Sequence, residues 1–315
     1  MKFEEKPVRL GNSPVSIMPL GFGTWAWDST GQYGTGRDYK EEDLRAAFQT
    51  SLKSDINFFD TAESYGNGEV ELLLGKFLKE SKANVVVATK FPPWRNRFLK
   101  RHLLTSLHSS LKRMQVEQID LYQTHFHFRF VPVQTWMTAL ADAVEQGLTK
   151  AVGTANYDAS RLRMAHKLLA KRGVPLASNQ ADYSLLHRHP ETDGVFETCK
   201  KLGVTLLAYS PLAQGLLSGK FSPTNPPPGD RGRRYDASYL AKIQPLIGLL
   251  NEVGQSHQGK AAAQVALNWV MCKGAIPIHG AKNAQQAEEN AGALGWRLTA
   301  DEVKALDSAS KDLQR

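Results

Sequence analysis

The sequence predicts an α/β fold of the TIM type: an eight-stranded parallel (β/α)8 barrel with an N-terminal β-hairpin and extra C-terminal helices. Three observations point there. Short apolar runs alternate with amphipathic stretches of helical period, and the runs end near residues 60, 90, 124, 154, 181 and 209, one unit about every 30 residues. The runs are apolar on both faces, as strands of a covered parallel sheet are. Residues capable of chemistry close at least six of the runs. A barrel gathers all its strand ends around one mouth, whereas an open doubly wound sheet gathers them only where its strand order reverses.

Taken in order, residues 8–20 (VRLGNSPVSIMPL) read as two short strands around Gly11-Asn12-Ser13, a hairpin ahead of the main fold. LGFGTWAW follows and contains G-x-G-x-x-A, a dinucleotide fingerprint only where a helix opens at its glycines. Here TWAWDSTGQYGTGRDY comes next, aromatic and glycine-rich, so it reads as a loop and LGFGTW as the first barrel strand. From Glu41, the residues Leu44, Ala47, Phe48 and Leu52 share one helical face, before a strand over 56–60. Val70, Leu73, Leu74, Phe77 and Leu78 form the next face at i, i+3, i+4, i+7, i+8 spacing, before a strand over 85–89. Leu103, Leu107 and Leu111 mark a third helix, before strand 119–124. Trp136, Leu140 and Val144 mark a fourth, ended by Gly147, before strand 148–154. Leu162, Ala165 and Leu169 mark a fifth, ended near Gly173, before strand 176–182. Val195, Phe196, Cys199 and Leu202 mark a sixth, ended by Gly203, before strand 204–209. Then the rhythm breaks. Residues 222–239 (SPTNPPPGDRGRRYDASY) read as a Pro/Gly/Arg loop too polar for core. Helices are expected over 243–253 and 261–272, a short strand over 275–278 and a last helix from about Ala284. Residues 1–315 are expected to form a single domain.

With 315 residues and 42% apolar side chains, the chain can bury one large core. Its net charge is +8 and its pI about 9.3, but the 39 basic residues are interspersed with 31 acids and form no long basic block. That argues against a nucleic-acid partner and leaves room for a local site for a dinucleotide phosphate. Cys199 and Cys272 lie in helical patterns without CxxC spacing, as buried free thiols of a reducing compartment do. No apolar run approaches the ~20 residues that cross a bilayer, and MKFEEKPVRL lacks a signal core. The expectation is a cytoplasmic, soluble protein, monomeric or weakly oligomeric, with no membrane partner.

Four residues carry the chemistry. In INFFDTAESYGNGEVE an apolar run stops at Asp60, and Tyr65 follows on a glycine-bearing turn; Lys90 ends VVVATK and His125 ends LYQTH. A free tyrosine titrates near ~10, far from neutral pH. A nearby ammonium favours the phenolate, so Lys90 is expected to lower the Tyr65 value while Asp60 keeps Lys90 charged. His125 would hydrogen-bond the same substrate oxygen or relay its proton. Such a set can protonate a carbonyl oxygen as hydride reaches its carbon. Each residue singly is as well explained by packing; all four at the ends of consecutive strands favour chemistry. His125 and His127 could form a metal pair, but a catalytic zinc takes three protein ligands and nothing completes them, so no metal is expected. Trp25, Trp27, Trp94, Phe126 and Phe128 sit on or just past strand ends and are expected, with Tyr65 and His125, to wall an apolar substrate pocket. Arg231, Arg233 and Arg234 are either a lid over phosphates or a solvated loop.

FDTAESYGNGEVE, VVVATKF, LYQTH, VGTANY, NQADYSLLHR, YSPLAQGLLSGK and PIHGAKNAQQAEENAGALGW, in that order and spacing, resemble the aldo-keto reductases over nearly the full chain. The wording is most similar to the plant and cyanobacterial branch and the bacterial oxidoreductases near it. The resemblance implies a barrel binding NADPH across its mouth and reducing small carbonyl compounds, with Asp60, Tyr65, Lys90 and His125 catalytic and Tyr65 the proton donor. It implies that Asn156 and Gln180, beside Ala155, hold the nicotinamide carboxamide and that Tyr209 stacks on the ring, with Gly23, Thr24, Trp25 and Asp60 also touching the cofactor. Ser210, Pro211, Leu212, Gly215 and Leu217 would follow the pyrophosphate, with Lys220 and Arg231 close by. Gly280, Lys282 and Asn283 would grip the 2′-phosphate, and Gln286, Glu289 and Asn290 would border the adenine. A lysine before a helix start suits a phosphate, and a flat phenol suits a flat heterocycle. The family also includes channel-associated subunits that bind NADPH and turn over slowly, so a redox sensor is the alternative. A short-chain dehydrogenase is disfavoured by the absence of Tyr-x-x-x-Lys. Two residues depart from the pattern. Ala155 replaces the usual Ser, removing a hydroxyl contact worth roughly 0.5–1.5 kcal/mol. His279 stands in IPIHG for Pro or another small residue, where an imidazole either adds a pH-dependent phosphate contact or is simply tolerated.

Overall fold

The computed structural model describes residues 4–30, 36, 38–94 and 96–314. Part of the loop expected over 24–39, residues 31–35 and 37, lies outside the described residues. The hairpin is present as β1 (Val8–Arg9) and β2 (Ser16–Ile17), paired antiparallel. Eight parallel strands then close into a barrel: β3 (Gly21–Gly23), β4 (Phe58–Asp60), β5 (Val86–Phe91), β6 (Ile119–Thr124), β7 (Thr149–Ala155), β8 (Leu176–Asp182), β9 (Thr205–Tyr209) and β10 (Ile276–His279). Each pairs with its neighbour in sequence, and β10 pairs with both β9 and β3. The (β/α)8 architecture expected from the periodicity is the one observed.

Helices α1 (Glu41–Lys53), α2 (Glu69–Ser81), α3 (Lys100–Met114), α4 (Val133–Glu145) and α5 (Ala159–Ala170) follow the expected faces. Their apolar sides bury Phe48, Leu74, Leu107, Trp136 and Leu162 against the outside of the strands, the arrangement a parallel sheet requires. The short α6 (His189–Thr192) precedes the expected α7 (Val195–Leu202). Three later features differ from expectation. The polar 222–239 segment contains a helical turn, α8 (Asp230–Arg234), with Arg231 and Tyr235 buried. α9 runs over Ala237–Ser256, several residues longer than expected, because the Asp236 carboxylate caps it by accepting from Tyr239 N at 2.8 Å. Beyond α10 (Ala262–Cys272) and α11 (Ala284–Ala291) lies a further helix, α12 (Ala300–Ser310). It opens on a reciprocal Thr299–Glu302 capping box, a signal present in the sequence as T-A-D-E. Cys199 is buried, Cys272 half-buried, and both are free thiols.

The barrel has two ends of opposite character. At the end where strands begin, Leu10, Val15 and Ile17 of the hairpin pack onto Phe58, Ala88, Leu121, Ala177, Leu207 and Ile276 inside the barrel. Gly11 makes that closure possible. Its φ is +53°, and a Cβ there would lie 2.7 Å from the Ala177 carbonyl oxygen and 2.9 Å from that of Gly203. Gly11 N also donates to Thr205 Oγ1 at the start of β9, at 2.8 Å. The hairpin is therefore a plug, and the polar residues collect at the other end.

Candidate active site

Asp60 ends β4 and Lys90 lies one residue before the end of β5; neighbouring parallel strands bring them together in the interior. Lys90 is fully buried, with Nζ 2.5 Å from Asp60 Oδ2 and 2.9 Å from the Thr61 carbonyl oxygen. A buried ion pair persists when its remaining hydrogen-bonding capacity is used. Here Asp60 Oδ1 accepts from Gln180 Nε2 at 3.0 Å and from Gln123 Nε2 at 3.4 Å. Burial works against the charge on Lys90, but Asp60 and the Tyr65 oxygen more than offset it and hold its pKa above the usual lysine value. Lys90 is a permanent cation.

Tyr65 opens a 3-10 turn, Tyr65–Gly68, directly after the loop that leaves β4. Its hydroxyl lies 3.4 Å from Lys90 Nζ. The expected lowering of its pKa does not emerge. Burial raises it more than Lys90 lowers it, and Asp60 adds to the rise, so the phenol stands above its ordinary 10. Tyr65 therefore carries its proton at neutral pH. His125 follows β6, its ring centroid 5.9 Å from that of Tyr65 and Nδ1 3.3 Å from Ser64 Oγ. Burial, then the Lys90 charge, pushes His125 down to about 3, so the ring is neutral. In the tautomer whose Nδ1 accepts from the Ser64 hydroxyl, Nε2 carries the proton and is the ring's donor. The four residues singled out in the sequence thus meet at one point, a phenol and a neutral imidazole over a buried cation.

This point is the deep end of a cleft of about 790 Å³ across the barrel mouth. Gly23, Trp25, Trp94 and Phe126 line it near Tyr65, and Asn156, Gln180 and Tyr209 line its middle. Asn156 is locked between neighbours: Nδ2 donates to the His125 carbonyl at 3.0 Å, and Oδ1 accepts from the Tyr209 hydroxyl at 3.1 Å. Further out, the backbone of Ser210, Pro211, Leu212 and Gly215 forms one wall, with positive φ at Ser210, Ala213, Gln214 and Gly215. Lys220, Arg231, Gly280, Lys282, Asn283, Gln286, Glu289 and Asn290 complete the far end. Three cations crowd there. Burial, then the charges of Lys220 and Arg231, pushes Lys282 down to about 8, with Asp38 opposing.

Several expected members are elsewhere. Trp27 is not a substrate wall: it is 1% exposed in the layer outside the strands, its Nε1 donating to the Ala281 carbonyl at 3.0 Å. Thr24, Ala155 and Leu217 are buried behind the cleft surface and do not line it. Phe128 stacks on Phe98 at 5.7 Å instead of facing the cleft. Of the three arginines only Arg231 reaches the cleft, 7% exposed with Nη1 3.0 Å from the Gln214 carbonyl; Arg233 is solvated and paired with Asp230. His279 lines the cleft, but its imidazole is neutral at neutral pH. It is 1% exposed, and burial pushes it to about 4 against a smaller upward push from the Gly280 backbone. Asn290 Nδ2 lies 3.0 Å from its Nδ1 and 3.3 Å from the Gly280 carbonyl. Because that carbonyl can only accept, the amide nitrogen must face both, so the Gly280 carbonyl fixes the orientation of Asn290 and His279 Nδ1 is the acceptor.

Other site residues escaped the sequence reading. Gln123 is the register partner of Lys90 and bridges Asp60 to Ser178, whose hydroxyl donates to Gln123 Oε1 at 3.3 Å. It stands two residues before His125 on a strand, a spacing that could have revealed it. A side chain at Gly153 would strike the Ser178 hydroxyl and break this bridge. Asp28, Ser64 and Gln214 also line the cleft, and no sequence signal distinguishes them from loop residues. Among the described residues no cluster of three or more His, Cys, Asp or Glu could hold a metal ion, and no helix is long and apolar enough to cross a membrane.

A profile described as the Aldo/keto reductase family matches residues 19–311. The chain belongs to the aldo-keto reductase family. Members of this family are oxidoreductases that act on carbonyl compounds and typically use a nicotinamide cofactor. This aldo-keto reductase is 40% identical to a chloroplastic pyridoxal reductase of Arabidopsis thaliana, over 97% of this chain and 86% of the relative. It is 30% identical to an L-glyceraldehyde 3-phosphate reductase of Escherichia coli O157:H7, over 96% and 91%. A solved glycerol dehydrogenase from Gluconobacter oxydans superimposes with a TM-score of 0.84 at 25% identity, covering 96% of this chain and 94% of that one.

Proposed function

We propose that this single-domain barrel is an NADPH-dependent reductase of aldehydes and ketones in which Tyr65 donates the proton. The observation that carries this reading is the Tyr65 hydroxyl 3.4 Å from the buried Lys90 ammonium, with the His125 ring beside it, in a long cleft across the barrel mouth. The donor set fits the cofactor. Lys220, Arg231 and Lys282 repel one another at the far end, and a polyanion relieves that repulsion. Asn156, Gln180 and Tyr209 offer amides and a flat ring midway along. When bound, the cofactor supplies hydride.

The chain's own residues do the rest. Tyr65 and His125 present hydrogens to one carbonyl oxygen, which polarises the carbonyl and orients it. As negative charge grows on that oxygen it becomes a far stronger base than a phenolate, so the Tyr65 proton moves to it. Lys90 stabilises the phenolate left behind, and Asp60 keeps Lys90 charged and aimed. The protonated phenol is the form this direction uses, whereas the reverse reaction needs the phenolate.

The test follows NADPH absorbance with a panel of aldehydes for wild type and Tyr65→Phe. Wild-type consumption, reduced about 10²–10⁴-fold in the variant with NADPH binding kept, is the expected result. Binding without turnover on any aldehyde would instead identify a cofactor-binding sensor or regulatory subunit. Pyridoxal and phosphorylated short aldehydes, the substrates in the names of the two relatives, belong in the panel.

A further inference from the structure

We infer that Asp28 makes the substrate end of this site selective for cationic or neutral carbonyl compounds and against anionic ones, an inference that rests on the reductase reading above. The chain leaves β3 through one 3-10 turn, Trp25–Trp27, and Asp28 caps it with its N–H on the Trp25 carbonyl at 3.2 Å. Asp28 lines the same cleft as Trp25, Ser64, Tyr65 and Trp94, yet it is only 8% exposed. Its direction is set by Thr30, whose N–H and hydroxyl reach Oδ1 at 2.8 and 2.6 Å. It stands against the turn that carries Tyr65: a Cβ on Gly66 would lie 3.5 Å from that same Oδ1. The other buried acids of this region have cations of their own, Asp60 with Lys90, Glu63 with Arg97 and Glu71 with Arg113. Asp28 makes no ion pair among the described residues, and Glu69 is tied in beside it through the Ser29 hydroxyl at 2.7 Å.

The cleft is therefore electrically polar along its length. Lys220, Arg231 and Lys282 make one end positive, and Asp28 makes the end beside Tyr65 negative. A half-sequestered unit charge acts on a second one several ångströms away by a factor on the order of tenfold in an equilibrium or rate, attractive or repulsive. A ring bearing a protonated nitrogen or an alkylammonium arm is drawn in; a carbonyl compound bearing phosphate or carboxylate is turned away.

Three benzaldehydes with a 4-substituent insulated by a methylene separate charge from reactivity: trimethylammoniomethyl, hydroxymethyl and carboxymethyl. In wild type, kcat/KM falls in that order, with cation over anion by tenfold or more. Asp28→Asn, whose amide oxygen still accepts from Thr30, brings the ratio within about threefold of unity, and Asp28→Glu keeps the wild-type order. A ratio unmoved by Asp28→Asn, or an anion preferred in wild type, overturns the inference while leaving the reductase intact. No turnover of any of the three, or of the wider panel, overturns the reductase reading itself.

Discussion

Tyr65 is a weak acid made weaker by its surroundings, so its hydroxyl is protonated at neutral pH. The same surroundings define the cost of disturbing it. Lys90→Met leaves Asp60 buried without its cation, a loss of about 3–5 kcal/mol, so the variant is expected to melt far below wild type as well as to lose turnover. Lys282 makes a gentler prediction. Its charge is complete well below about 8 and lost as pH rises through that value. NADPH affinity should accordingly weaken above pH 8, with the fall displaced upward at saturating NADPH, because a bound phosphate favours the charged lysine. Fluorescence titration across pH checks this, and Lys282→Met should flatten the curve and narrow any preference for NADPH over NADH. The meeting of Asp60, Tyr65, Lys90 and His125 was legible because each ends or closely follows a strand, and strand ends are visible in the period. Trp27 was not legible as core. A 3-10 turn advances a third of a circle per residue, which puts Trp25 and Trp27 on different faces, and nothing in WAW says which tryptophan faces out.

Among the elements, the strand–helix units were legible because continuous apolar runs and a 3.6-residue period both rest on burial against one shared sheet. The exceptions are elements whose cause is local. α8 forms in a Pro/Gly/Arg segment because Arg231 and Tyr235 find buried places, which composition does not reveal. α12 is announced only by its cap. Thr299→Ala should cost about 1 kcal/mol, a small drop in Tm with kcat unchanged, measurable by calorimetry. The hairpin is less forgiving. At Gly11 a methyl group meets two backbone carbonyls that cannot move aside, in a conformation L-residues avoid. Gly11→Ala is expected to destabilise by more than about 2 kcal/mol, with per-molecule activity preserved in whatever remains folded. A melting temperature equal to that of wild type would show that the plug can shift without loss.

For the molecule as a whole, acid should be the damaging direction, and His279 is one named reason. Its pKa is about 4 when folded and about 6.5 in an unfolded chain. Between those values the unfolded chain binds the extra proton, so the stability is complete above 6.5 and drains away as pH falls toward 4. The span corresponds to at most about 3 kcal/mol. Melting curves from pH 7 to 4 should fall less steeply for His279→Leu than for wild type, although the variant starts lower. The hairpin plug bears on the interior in another way. Leu10, Val15 and Ile17 fill the end where the strands begin, so among the described residues the mouth is the open approach to the Lys90 ammonium. Deuterium arriving that way is slowed by a molecule lying across the mouth. Isotope exchange at Lys90 is thus a built-in gauge of how fully, and for how long, the mouth is covered.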